Sequence, residues 1–220
     1  MSINLSSGGN IQGLHPYYAA EDYLERDTQA GIVRQKNGAR GLHVTEDFIV
    51  GLQQGLEEEV GDAAGLVMYR AGYEWGMQDM KFFEERFERE YGGRTKITEA
   101  NIMFVLEQWW WPLTAEGWGT WAVDFSSRKQ GLIFVDLFDS AVAKSIGNIG
   151  KPVCHLYAGC LAGVFTYMSR HELSGIEIQC YAMGEDFCKF LIGSEKRVNA
   201  ASFWVQEGAS AKDISEKIKA

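Results

Sequence analysis

The sequence lacks the features that mark nucleic-acid-binding and membrane-spanning proteins. It has 21 Lys and Arg residues against 30 Asp and Glu residues, a formal net charge of −9, and no cluster of basic residues. Such a chain is poorly suited to bind the phosphates of nucleic acid or an anionic membrane surface, so neither is expected as a partner. No run of about eighteen apolar residues is present, and no transmembrane segment is expected.

The sequence also has few cysteines and no recognisable export signal. It contains only four cysteines, and residues 1–13 are polar, without a basic start followed by an apolar run. Secreted proteins of small size are often rich in disulfides, whereas reduced cysteines are typical of the cytoplasm. We therefore predict a cytoplasmic protein.

The usual motifs of catalysis and nucleotide binding are missing. There is no G-x-G-x-x-G at the start of a helix, no G-x-x-x-x-G-K-[ST] and no H-E-x-x-H, and the four histidines are scattered. We predict no catalytic residues. Because nothing resembles a nicotinamide or flavin site, the sequence favours a binding protein over an enzyme.

The remaining patterns are typical of one α/β (α+β) domain in which N-terminal helices pack on an antiparallel sheet. With 220 residues and 46% hydrophobic content, the chain can bury a sizeable core. We predict a flexible arm over residues 1–15 and a single domain over residues 16–220. The predicted helices span 18–28, 46–59, 62–91, 99–110, 140–146, 153–170, 195–206 and 211–219. The predicted strands span 32–36, 40–44, 118–125, 131–138, 173–182 and 188–192.

Glycines recur in the predicted helix 62–91 and just before it. Gly61, Gly65, Gly72 and Gly76 follow one another at steps of four, seven and four. Glycine weakens a helix by up to about 1 kcal/mol relative to alanine, so a run of glycines on one face requires a reason. Close packing of another helix is the favoured reason, and clearance for a flat ligand is the alternative.

Aromatic residues are concentrated in the middle of the chain. The candidate ligand-binding residues are Phe104, Trp109, Trp110, Trp111, Trp118 and Trp121. Three consecutive tryptophans cannot all face the core from one helix, because neighbours point about 100° apart. A cavity lined by these rings would suit a planar aromatic molecule. The alternative is that they are core and interface residues.

Cys154, Glu177, Cys180 and Cys188 form a candidate metal site within the segment 151–193. Cys154 lies at a helix start, and a turn near Gly184 would bring Cys180 and Cys188 together. Three thiolates and a carboxylate suit a structural Zn²⁺ site. Glu177 and Cys180 would face opposite sides of a regular strand, so a bulge or a strand end is required. The alternative is that the cysteines, with Cys160, are simply buried core residues.

The segments PVCHLYAGCLAG and EIQCYAMGEDFCKF resemble the 4-vinyl reductase domain family. That family includes stand-alone proteins of chlorophyll and bacteriochlorophyll metabolism and the phenol-sensing input domain of bacterial transcription activators. The sensor pattern of Cys, Glu, Cys and Cys that holds zinc is matched at each step by Cys154, Glu177, Cys180 and Cys188. The resemblance covers about forty residues and favours zinc over the alternative.

The resemblance implies a ligand-binding fold of the NO-signalling and Golgi-transport type, similar to that of a vesicle-tethering subunit, usually as a homodimer. Three hypotheses follow from it. The first is a zinc-stabilised binder or carrier of a tetrapyrrole, such as a chlorophyll precursor, in pigment synthesis or photosystem assembly at the edge of a photosynthetic membrane. The second is an assembly scaffold without a small ligand, with photosystem subunits as partners. The third is a vinyl reductase of a chlorophyll precursor.

Overall fold

A computed structural model describes residues 3–4, 23–35, 38–91 and 96–219. Within them the chain forms seven α-helices and eight strands. The helices are α1 (Glu46–Val60), α2 (Ala64–Glu90), α3 (Ile102–Ala115), α4 (Ala141–Ile146), α5 (His155–Ser169), α6 (Glu195–Gln206) and α7 (Ala211–Lys219). The strands are β1 (Ile3–Asn4), β2 (Leu24–Asp27), β3 (Ile32–Gln35), β4 (Arg40–Gly41), β5 (Thr120–Asp124), β6 (Ile133–Phe138), β7 (Ser174–Gln179) and β8 (Cys188–Gly193).

A five-stranded antiparallel sheet in the order β1-β5-β6-β8-β7 carries the core. One face packs against α2, α3 and α5, through side chains such as Val135, Phe190 and Tyr157. The other face packs against α6 and α7, where Phe134 and Ile214 are buried together. The predicted class, helices packed on an antiparallel sheet, is confirmed.

A second sheet of three short strands, β2-β3-β4, precedes the helices. The turn between β2 and β3 is closed by Asp27, whose carboxylate accepts hydrogen bonds from the amides of Gln29 and Ala30. The helix predicted over 18–28 is therefore wrong from residue 24 onward, because β2 pairs with β3 along its whole length. Residues 18–22, and all of the predicted arm except the short strand β1, lie outside the described residues.

Helices α2 and α5 approach each other so closely that no side chain fits between them. A Cβ atom on Gly72 would lie 2.0 Å from the carbonyl oxygen of Leu156, and one on Gly76 would lie 2.2 Å from that of Cys160. Gly159 and Gly163 on α5 return the same close approach toward α2. Close packing, the favoured reason for the glycine run, therefore applies to Gly72 and Gly76, and the packing is within the chain.

Helix α3 begins later than predicted and continues through a proline. Asn101 caps it, with its side-chain oxygen accepting from the amides of Met103 and Phe104. Pro112 removes one helical hydrogen bond, that to the carbonyl of Gln108. The guanidinium of Arg86 on α2 donates to this carbonyl at 3.5 Å. The prediction that Pro112 ends the helix is wrong, and this replacement partner is the physical reason.

Helix α1 leaves apolar side chains in solvent. Phe48 is 54% exposed and Leu52 is 48% exposed, whereas Gln53 is buried. The prediction from periodicity that Phe48 and Leu52 form the inner face is therefore wrong. No helix among the described residues has both the length and the apolar character needed to cross a membrane.

Candidate functional site

The start of helix α5 brings Cys154 to the turn between strands β7 and β8. Cys154 is the N-cap residue of α5, and its side chain is fully buried. The amides of Val153 and Cys154 both donate to Glu177 Oε2, at 3.1 and 2.8 Å. A carboxylate is favoured at this position because unpaired amides give a helix N-terminus a partial positive charge. Glu177 thereby links the start of α5 to strand β7.

A change of register in β7 places Glu177 and Cys180 on the same site. Glu177 pairs with Phe190, whereas Gln179 pairs with Lys189, so the register shifts between Glu177 and Gln179. This irregularity is the one that the odd spacing of the two ligands required. The turn that follows Cys180 is held in place by the amides of residues 149 and 150, which both donate to the carbonyl of Ala182.

The structure brings together all four residues predicted for the metal site. Their ligand atoms lie within 4.8 Å of one another, and every one of these side chains is buried. The Sγ atoms of Cys154 and Cys188 are 3.7 Å apart, and those of Cys188 and Cys180 are 3.8 Å apart. Zinc–sulfur bonds of about 2.3 Å in a tetrahedron would place two sulfurs about 3.8 Å apart. The spacing of the sulfurs therefore fits a tetrahedral metal ion.

One buried oxygen of this cluster lacks a hydrogen bond. Glu177 Oε1 has no hydrogen-bond partner among the described residues, although the side chain is only 2% exposed. Burial raises the pKa of Glu177, and the nearby Cys180 raises it further. Hydrogen bonds from Cys154 and Cys188 lower the pKa of Cys180 to about 2. Adjacent acidic groups in a buried site are stabilised by a cation, so the donor set fits a metal.

Cys160, the fourth cysteine, is separate from this cluster. It is buried in the contact between α5 and α2, where its backbone faces Gly72 and Gly76. Its role as a small buried residue is confirmed.

A second candidate site is a cavity of about 870 Å³ on the other side of α2. Its wall is formed by strands β2, β3 and β4 with the loop to α1, by the middle of α2, by the end of α3 and by the start of α4. The aromatic side chains in the wall are Trp75, Phe82, Phe83, Trp109 and Trp118. The Trp75 and Trp118 rings lie 4.9 Å apart.

Only two of the six predicted ligand-binding residues, Trp109 and Trp118, line this cavity. Trp110 and Trp121 are both buried and stack on each other, with ring centroids 5.7 Å apart. Trp111 makes an edge contact with the ring of Tyr23. Phe104 packs against Phe87 and Tyr91. The structure therefore divides the aromatic segment between core and cavity.

Several polar cavity residues were not predicted. Trp109 Nε1 donates to Asp79 Oδ2 at 2.6 Å. Glu116 accepts hydrogen bonds from Gln35 and Tyr23. The sequence carries a signal for the α2 wall, because Trp75, Asp79, Phe82, Arg86 and Arg89 recur at steps of three and four. Nothing in the sequence indicates that the β3–β4 hairpin closes over this stripe.

Comparisons with known proteins agree with the central segment. Residues 133–194 match the sequence model of the 4-vinyl reductase domain. Two uncharacterized proteins of Methanocaldococcus jannaschii are 29% identical over 70 residues and 31% identical over 74 residues, each match covering 32% of this chain. The matches cover 40% and 46% of those proteins, so the chain spans less than half the length of these relatives.

Two solved structures are similar in fold. The phenol-responsive sensory domain of the transcription activator PoxR, solved with phenol, superposes with a TM-score of 0.62 at 17% identity, over 85% of this chain and 92% of that domain. A vinyl-4-reductase family protein from Methanocaldococcus jannaschii gives a TM-score of 0.42 at 16% identity, over 66% of this chain and 75% of that protein. The first likeness confirms the predicted ligand-binding fold. With the match over residues 133–194, the predicted resemblance to the 4-vinyl reductase domain family is confirmed.

Proposed function

We propose that this protein binds a planar aromatic small molecule in the cavity between α2, α3 and the β3–β4 hairpin. The observation that supports the proposal is the volume of about 870 Å³ lined by three tryptophans and two phenylalanines. Ligand sites in proteins typically measure about 300–1,000 Å³ and combine apolar walls with a few polar groups. A volume near the upper end of that range suits a ligand of several fused or linked rings. The fold likeness to a sensory domain solved with phenol is consistent with small-molecule binding.

The finer hypothesis is that the ligand is a tetrapyrrole, such as a chlorophyll precursor. Its flat ring would place one face on Trp75 and Trp118 and an edge toward the β3–β4 hairpin. The proposed role is that of a carrier in pigment synthesis or photosystem assembly, peripheral to a photosynthetic membrane. The support for this role is the resemblance of the Cys154–Cys188 segment to stand-alone family members.

We also propose that Cys154, Glu177, Cys180 and Cys188 hold a structural Zn²⁺. The unpaired Glu177 oxygen and the 3.7 and 3.8 Å sulfur spacings support this assignment. The ion would neutralise the buried acidic groups and so stabilise the fold. The four side chains connect the start of α5 to the β7–β8 turn, which are up to 34 residues apart in sequence. No part of the binding proposal requires chemistry at this site.

Native mass spectrometry of protein purified gently from its own host tests both parts. The expected result is one zinc per chain together with an additional organic mass whose absorption spectrum identifies a porphyrin-like ring. The same spectrum would show the homodimer that the resemblance implies. A zinc-containing chain without an organic mass would then be titrated with protoporphyrin while tryptophan fluorescence is recorded. Absence of quenching at micromolar protoporphyrin would contradict the tetrapyrrole hypothesis.

An assembly scaffold is the second candidate, and one observation favours it. Phe48, Leu52, Leu66 and Phe82 are all at least 48% exposed, which is unusual for side chains of this size. A scaffold would use these positions as contacts and leave the cavity without a ligand. Substituting Phe48 and Leu52 by Ser would then abolish assembly while protoporphyrin binding is absent in both forms. Protoporphyrin binding that survives this double substitution would favour the binding protein.

A further inference from the structure

The least exposed acidic side chain in the wall of the aromatic cavity is that of Asp79. It projects from the middle of α2, which also contributes Trp75, Phe82 and Phe83 to the wall. Its Oδ2 atom accepts a hydrogen bond of 2.6 Å from Trp109 Nε1. No hydrogen bond reaches Oδ1 from the described residues. One oxygen of a partly desolvated carboxylate is therefore left to interact with a bound molecule.

The other charged groups of the cavity are either engaged or at its rim. Arg86 stacks over the Phe83 ring, lies 3.7 Å from a carboxylate oxygen of Glu90 and donates to the carbonyl of Gln108. Arg40, Glu85 and Arg89 line the cavity but are solvent-exposed. Asp79 is therefore the one inner acceptor among the described charged residues that is not already committed on both oxygens.

The environment makes Asp79 a demanding acceptor. Burial raises the pKa of Asp79, whereas the Trp109 hydrogen bond and the charge of Arg86 oppose that effect. A desolvated carboxylate gains more from an added hydrogen-bond donor or cation than a carboxylate in water does. A ligand that places a purely apolar edge against Oδ1 would leave this cost in place. The inner end of the cavity therefore discriminates by donor chemistry.

We propose that Asp79 is a specificity-determining residue that selects planar aromatic ligands with an N–H or O–H donor at their inner end. This proposal rests on the proposed binding function and adds the chemical class and orientation of the ligand. A protonated nitrogen would gain most, because it combines a charge-assisted hydrogen bond with contact to the faces of Trp75 and Trp118. The outer end of the ligand would lie near Arg40 and Arg89, where an acidic substituent is favoured.

Three matched naphthalenes test the proposal on the full chain with its metal. They carry an aminomethyl, a hydroxyl or a methyl group at the same ring position, and binding is followed by tryptophan fluorescence and calorimetry. We expect the aminomethyl and hydroxyl compounds to bind at least about tenfold more tightly than the methyl compound, as for a hydrogen bond to a charged group. In Asp79→Asn the advantage of the aminomethyl compound is expected to fall by about tenfold.

The matched control is Glu85→Gln, which makes the same chemical change at an exposed carboxylate of the cavity rim. It is expected to keep the preference for the aminomethyl compound. Equal binding of all three compounds to the wild type would overturn this proposal and leave the binding function intact. A preference that persists in Asp79→Asn, or is lost equally in Glu85→Gln, would also overturn it. Failure of every compound to bind the wild type would overturn the binding function itself. Near-ultraviolet circular dichroism of each variant establishes that it is folded.

Discussion

The metal cluster and the aromatic cavity both withdraw acidic side chains from water, but they do so on different scales. In the cluster, the ligand atoms of four residues converge within 4.8 Å, a space that fits a single ion. In the cavity, Asp79 faces a volume of about 870 Å³. The first arrangement is complete once a cation is present, whereas the second requires an organic molecule to fill it. Chemistry similar at the level of single residues therefore serves different purposes.

The two regions also differ in how the chain assembles them. The cluster uses residues from one segment of about forty residues, arranged by one helix start and one hairpin. The cavity wall draws on three strands, four helices and the loop between β4 and α1. They share helix α2, whose glycines press against α5 on one side while Trp75, Asp79 and Phe82 line the cavity on the other. A change at one region can therefore affect the other only through the α2–α5 contact.

The largest effect is expected when the metal cluster loses a ligand. Cys188→Ser should lower the free energy of unfolding by more than about 4 kcal/mol, because loss of a structural metal belongs to the most destabilising changes. Chemical denaturation and zinc content by atomic emission measure the effect. Cys160→Ser makes the same substitution in a buried cysteine outside the cluster and should retain its zinc. Equal zinc content and stability in Cys188→Ser and the wild type would contradict the metal assignment.

The cluster was predictable because its geometry is local. Cys180 and Cys188 are separated by a tight turn, and Glu177 required the bulge that β7 contains. The glycine steps on α2 likewise predicted close helix packing, because a helix face without side chains lets a neighbouring backbone approach. In both cases the constraint lies within a few turns of helix or strand, so the spacing in sequence determines the spacing in the structure.

The cavity was not predictable to the same degree. Periodicity could not place Trp110 in the core and Trp109 in the cavity, because this division depends on where β5 and α2 meet α3. The continuation of α3 past Pro112 depends on Arg86, which lies 22 residues from the carbonyl it contacts. Phe48 and Leu52 were predicted as inner-face residues, yet they are exposed. Contacts between distant elements decide these positions, and a single sequence does not encode them locally.

A smaller but still severe effect is expected at the contact that links the two regions. Gly72→Ala should destabilise the fold by about 3 kcal/mol, because its Cβ would lie 2.0 Å from the carbonyl oxygen of Leu156. Gly55→Ala is the matched control in α1, where nothing lies within 4 Å of the added atom. It should stabilise the protein by about 0.5–1 kcal/mol, as alanine is the better helix former. Thermal and urea denaturation of both variants test the prediction. Similar stability changes of one sign would contradict the close packing of α2 on α5.

The neighbouring tryptophans of α3 separate cavity from core within two residues. Trp109→Phe removes the indole N–H that donates to Asp79, whereas Trp110 Nε1 is buried without a hydrogen-bond partner among the described residues. Both changes remove similar ring volume. Trp109→Phe should therefore cost about 1–3 kcal/mol more than Trp110→Phe, because it leaves a buried acceptor unsatisfied. Urea denaturation at neutral pH measures the difference, and a larger loss in Trp110→Phe would show that packing outweighs the hydrogen bond.

The smallest effect is expected from the proton equilibrium of Asp79. Burial raises its pKa above the ordinary value of 3.8, so between 3.8 and the raised value the folded chain binds more protons than the unfolded chain. The contribution of Asp79 to stability must therefore fall as pH rises through that window, and remain constant above it. The groups that modulate this titration are Arg86, which lowers the pKa of Asp79, and the hydrogen bond from Trp109, which also lowers it. Asp79→Asn keeps a side-chain oxygen for Trp109 but cannot titrate.

The stability of Asp79→Asn relative to the wild type should accordingly increase from about pH 4 toward neutrality. Urea midpoints of the two proteins, measured side by side at each pH, provide this difference. Protonation of the cysteine cluster affects both proteins alike and cancels in the difference. Parallel stability curves would mean that Asp79 is as well solvated as a surface carboxylate. The distinction between the two regions would then sharpen, because only the metal cluster would hold acids at a cost in free energy. Diverging curves would show that the cavity holds one as well, in a site shaped to offset that cost by binding a donor.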